Sequence, residues 1–185
     1  MILLILGLLI FVSVHIFTAV PDWREPAVAR LGEWIYKGLL ALVSLIGLAL
    51  AAWGYSLAPY ELIWESFRFG PELAAALMPV ATVLVMAAYL PSNIKRYTAH
   101  PMLWGVVLWA IAHLMVRGHW AGLLLFGGLG LYALIGMVLA SWRGVKPSNQ
   151  VKPLWQDVIV VIAGLALYAL LLVLHPVLFG VAVIQ

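Results

Sequence analysis

Apolar residues run along this chain in long blocks, and short polar stretches separate them. Crossing the hydrocarbon core takes about 20 apolar residues in a helix, with a range of roughly 17–25. By that measure six segments are candidate spans: Ile2–Val20, Gly38–Leu57, Leu73–Leu90, Met102–Val116, Trp120–Trp142 and Val158–Leu174. The fourth is short, lying between His100-Pro101 and Arg117-Gly118, and Pro79 inside the third predicts a kink. Two connecting stretches carry helical spacing of their own. From Pro26 to Lys37, Val28, Leu31 and Ile35 fall on one face and Arg30, Glu33 and Lys37 on the other, while Tyr60, Trp64 and Phe67 repeat similarly in the second connection. Both are expected to be interfacial helices. The 143–157 connection reads as a polar turn.

Composition agrees with the pattern. Of the 185 residues 66% are hydrophobic and 9% charged, against about 45–50% and about 25% in soluble domains. The expected fold class is therefore all-α: a polytopic membrane helical bundle of about six transmembrane helices, forming a single domain over 1–185. The first segment lacks a basic leader and carries Phe17 two residues before Ala19, so it is expected to stay as a span and not to be cleaved as a signal peptide.

Charge supplies the orientation. The first, third and fifth connections hold eight basic residues (Arg24, Arg30, Lys37, Lys95, Arg96, Arg143, Lys146, Lys152), and the second and fourth hold two, Arg68 and Arg117. Basic loops stay on the cytoplasmic side, so both termini are expected outside the cytoplasm of a bacterial inner membrane. The net charge of +3 is accounted for by those loops, and no nucleic-acid partner is expected. The partners expected are the lipid bilayer and molecules within it.

The chemistry available is narrow. The chain has no cysteine, which removes disulfides, iron–sulfur clusters and thiolate ligation. Asp22, Glu25, Glu33, Glu61, Glu65, Glu72 and Asp157 all flank or lie outside the apolar runs, so there is no acidic relay across the membrane. Histidine remains. His15 and His113 sit inside apolar spans, where an imidazole must find a partner or stay neutral, and two in separate spans favour a shared metal over two unrelated packing roles. Gly105, Trp109 and His113 recur at i, i+4 and i+8, within about 80° of arc, a bare stretch of backbone and an aromatic beside the histidine where a flat macrocycle could pack. Counted at about 1.5 Å per residue, His113 lies about 18 Å and His15 about 8 Å from the cytoplasmic ends of their spans, a difference that helix tilt can absorb. His100 and His175 each precede a proline at a helix end, with capping as their ordinary use, and His119 reads as a solvated loop residue. Trp104 and the glycines Gly127, Gly128, Gly130 and Gly136 are expected to serve packing, kinking and close helix approach.

The run His100-Pro-Met-Leu-Trp-Gly-Val-Val-Leu-Trp-Ala-Ile-Ala-His113-Leu, together with Val14-His15, the Leu31-Gly-Glu-Trp-Ile-Tyr-Lys-Gly segment and the ending Leu174-His-Pro-Val-Leu-Phe-Gly-Val, resembles the NnrU family of bacterial membrane proteins over nearly the whole chain. That family is named for a link to nitrite and nitric oxide reduction in denitrifiers and is similar to the zeta-carotene isomerase of plants and cyanobacteria. The resemblance implies haem b (iron) bound through His15 and His113, with His100 near the site and not a ligand, and Gly105 and Trp109 beside the ring. It also implies a redox-dependent cis–trans isomerisation of an isoprenoid, carotenoid-like lipid. The alternatives are a non-catalytic accessory protein for denitrification reductases and a small-molecule transporter with structural histidines. The isomerase has a cysteine where this chain has Ala110, three positions before His113.

Overall fold

The computed structural model describes residues 1–180; the last five positions of the 1–185 chain, Val181 of the closing motif among them, lie outside the described residues. The elements are α1 (Ile2–Ala19), α2 (Pro21–Leu31), α3 (Glu33–Ser56), α4 (Gly70–Tyr89), α5 (Ile94–Tyr97), α6 (Pro101–Val116), α7 (Trp120–Gly122), a π-helical turn (Leu123–Gly127), α8 (Gly128–Trp142) and α9 (Leu154–Phe179). Among the described residues there is no strand beyond one isolated bridge, Leu62 to His119. Helices α1, α3, α4 and α9 and the continuous Trp120–Trp142 segment are each long and apolar enough to cross a membrane, and α6 is a shorter apolar helix. This is a polytopic helical membrane protein with about the expected number of spans.

The helices sort into two compact units, Met1–Trp64 with Gly118–Gly128, and Glu65–Arg117 with the chain from Leu129 onward. In the first, α1 and α3 run antiparallel with their backbones in close approach. A Cβ on Gly7 would stand 2.5 Å from the Gly47 carbonyl oxygen and 2.8 Å from Ala51 Cα, and one on Gly54 would overlap the Leu4 amide. Gly47, Ala51 and Gly54 recur at i, i+4 and i+7 and form one small-residue face, which suits packing in lipid, where close van der Waals contact replaces hydrophobic exclusion of water. Leu4 and Ala51 are fully buried there.

In the second unit α4 is central, packed by α6 and α9. Gly164 of α9 lies against the backbone of Val83, and Gly70 against the Met115 carbonyl. Helix α4 continues through Pro79. Proline has no N–H to give the Ala75 carbonyl one turn back. Tyr168 of α9 directs its hydroxyl there at 3.5 Å, and Thr82 donates to the Pro79 carbonyl at 2.9 Å. The 143–153 connection is fastened. Asn93 donates from its backbone and side-chain amides to the Asp157 carboxylate (2.7 and 2.6 Å), exchanges hydrogen bonds with the Lys152 backbone (2.8 and 2.9 Å), and Ser148 donates to the Lys95 carbonyl at 2.8 Å.

Three expectations change. The amphipathic helix expected over Pro26–Lys37 is two helices. Pro21 starts α2 at a position that needs no N–H, and Gly32, at φ 77°, ends it before α3 begins. Val28 and Leu31 therefore belong to one helix and Ile35 to the next. The second connection is not helical. Ile63 and Trp64 both donate to the Gly118 carbonyl (2.7 and 3.0 Å) and Trp120 donates to Glu61 (3.1 Å), so non-local pairing satisfies this backbone and the aromatic spacing was coincidental. A Cβ on Gly118 would overlap the Trp64 carbonyl, which is what makes room for the strap. Finally, His119 is 7% exposed and not solvated.

Candidate functional site

His15 lies on α1, in the first unit. It is eleven residues beyond Leu4, about 20° round the helix, and so continues the stripe that packs on α3. Its Nδ1 is 2.7 Å from the Phe11 carbonyl oxygen, and the Phe11 ring stands 4.2 Å away, centroid to centroid. A carbonyl only accepts, so Nδ1 carries the hydrogen and the ring's lone pair is on Nε2.

His113 lies on α6, in the second unit, and repeats this arrangement. Its Nδ1 is 2.8 Å from the Trp109 carbonyl oxygen, with the Trp109 ring at 5.0 Å. In both cases the i−4 residue supplies a carbonyl to one ring nitrogen and an aromatic face to the ring. Metal-ligating histidines characteristically donate their second ring nitrogen to a carbonyl or carboxylate, which fixes tautomer and orientation. Each imidazole, taken by itself, therefore has the tautomer of an iron ligand, with Nε2 as the nitrogen suited to coordinate.

The structure brings Trp109 to His113 as the spacing predicts. Gly105 it employs differently. A Cβ there would stand 2.8 Å from the Ala81 carbonyl oxygen and 2.9 Å from Val85 Cγ2, so α4 fills the bare backbone expected to face a macrocycle. Ala110 is buried against α8, where a Cβ on Gly130 would approach it to 2.8 Å. Ala110 is thus half of a small-residue contact. Of the other fifth-span glycines, Gly127, Gly128 and Gly136 meet only side chains, at 3.3 to 3.7 Å. His100 is at the N-terminal boundary of α6, its Nε2 3.4 Å from Ser141 Oγ, beside a cleft that Lys95 and Lys146 also line. Among the described residues no group of three or more His, Asp or Glu side chains gathers to hold a metal ion, a condition that two-point ligation does not require.

A family model described as NnrU protein matches residues 3–183. The chain belongs to the NnrU family. No curated protein and no solved structure matches it. Membership in the NnrU family extends over every element described above, so both histidines and the whole His100–His113 run fall within the matched region.

One arrangement had no sequence signal. His119 lies within a cluster of rings, 5.1 Å from Tyr60 in a stacked geometry, 5.5 Å from Tyr55, with Phe126 5.8 Å from Tyr55 on the π-helical turn. These residues come from three separate segments, and no periodicity connects them.

Proposed function

We propose that this NnrU-family protein binds one haem b in the bacterial inner membrane, which His15 and His113 would hold through their imidazole nitrogens, with both chain termini on the non-cytoplasmic side. The observation that carries this assignment is the matched pair of Nδ1-to-carbonyl hydrogen bonds, 2.7 Å at His15 and 2.8 Å at His113, each of which puts the lone pair on Nε2. Bound haem would supply one-electron redox chemistry, its potential set by two nitrogen ligands in a low-dielectric interior. The chain's own part is to hold each imidazole in one tautomer and to lay Phe11 and Trp109 against the rings.

The activity we assign to this centre is redox-dependent cis–trans isomerisation of an isoprenoid lipid entering from the bilayer. Two experiments test these statements. Protein purified in detergent should be coloured, and its alkaline pyridine derivative should give the spectrum of haem b; a colourless preparation from haem-replete cells contradicts the cofactor and favours a transporter with structural histidines. Expression in cells that accumulate a poly-cis carotene precursor should change the carotenoid profile. An unchanged profile with haem still bound favours the accessory role, in which the protein serves denitrification reductases by handling haem or electrons.

A further inference from the structure

The loops that hold the second unit together also build a cleft. Ala88 at the end of α4, Lys95 on α5, His100 to Leu103 at the start of α6, and Lys146 with Ser148 on the connection after α8 line an open cleft of about 330 Å³. Ligand pockets generally begin near this size, at about 300 Å³. Its frame is fixed by backbone: the Ser148 amide donates to the Lys95 carbonyl at 2.8 Å, which sets the two basic segments side by side, and the Asn93 hydrogen bonds to Lys152 and Asp157 anchor the connection just beyond.

The polar groups at this cleft are almost all donors. Lys95 and Lys146 bring two ammonium groups, and neither Asp nor Glu is among the lining residues. Ser148 Oγ already accepts from the Gln150 amide at 3.2 Å, which leaves its O–H to donate. Helix α6 begins with Pro101, which has no N–H, and no side chain caps its first turn. The amides of Met102 and Leu103 are thus donors that the helix itself does not use, at the end where its dipole favours negative charge. Ala88, Pro101 and Leu103 add apolar surface to the same lining. Two lysines, a serine and the uncapped first turn of α6 around one space are complementary to an anion with several acceptor oxygens, and the apolar surface suits an ester substituent on it.

We propose that this cleft binds the phosphate group of a phosphomonoester or phosphodiester. The same chemistry is offered by a lipid headgroup and by a soluble phosphate. The full-length protein in maltoside micelles, which contain no phosphate, is titrated calorimetrically with inorganic phosphate and separately with short-chain phosphatidylglycerol. At least one of the two should bind at a single site, and the Lys95→Gln/Lys146→Gln double variant should weaken that binding by about tenfold or more, the size expected on losing charge-assisted hydrogen bonds. Lys95→Arg/Lys146→Arg should retain it, and Lys37→Gln, on α3, should leave it unchanged. Binding of the lipid alone identifies a headgroup site, and binding of inorganic phosphate identifies a soluble phosphate or phosphoester site. If neither binds, or if the double Gln variant keeps its helical circular dichroism and binds as tightly as the parent, the proposal is overturned.

Discussion

The two units hold the same histidine device on differently built supports. In the first unit α1 and α3 pack backbone to backbone along Gly7, Gly47, Ala51 and Gly54, while the non-local hydrogen bonds are those of a strap, residues 61–64, drawn to Gly118 and Trp120. In the second, α4 is gripped from two sides and the connections are pinned by Asn93, a polar clasp of four hydrogen bonds. His15 and His113 nevertheless share one geometry, because each takes it from its own helix: the carbonyl and the aromatic both come from the residue four positions earlier. The i−4 carbonyl and aromatic come with the helix itself, so a histidine can be held in the same way on two unlike scaffolds.

That contrast predicts where each unit breaks. The largest effect belongs to the first. Gly54→Leu forces a side chain into the Leu4 backbone, where nothing flexible can yield, and should cost about 3 kcal/mol or more, seen as loss of folded protein in a detergent thermal melt. Asn93→Ala should come next, at about 2–3 kcal/mol, because it removes three of the four hydrogen bonds, leaving the Lys152 backbone without its partner and the Asp157 carboxylate with only the backbone amide of residue 93; the same melt measures it. Ala110→Cys tests the second unit's packing. The added sulfur has only the space beside Gly130, and destabilisation by about 1–2 kcal/mol is expected. The smallest effect is at the exposed Glu33–Lys37 pair, 2.7 Å apart on the surface of α3. Lys37→Gln should leave the melt unchanged, since solvent and salt screen such pairs.

Much of this was legible from the apolar blocks alone. Hydrophobic runs of membrane length located every long helix, because lipid requires each spanning segment to satisfy its own backbone. The Trp109–His113 neighbourhood followed from i, i+4 spacing, as any contact within one helix turn does. What pattern could not convey was pairing between distant segments. The Tyr60, Trp64 and Phe67 spacing imitated a helix, whereas the backbone there is satisfied from Gly118 and Glu61 to Trp120. Gly105 looked like open backbone on one helix, and only the packing of α4 shows it filled. His119 seemed solvated for the same reason: its cover comes from Tyr55 and Tyr60, some sixty residues away in the chain.

Ligation of iron by both His15 and His113 is read from the oxidised and reduced haem spectra of His15→Ala, His113→Ala and His119→Ala, purified side by side after growth in haem-replete cells. The parent and His119→Ala should show the same low-spin Soret and α bands, and each of the other two variants should lose or convert them. A parent-like spectrum in either His15→Ala or His113→Ala would contradict ligation by both.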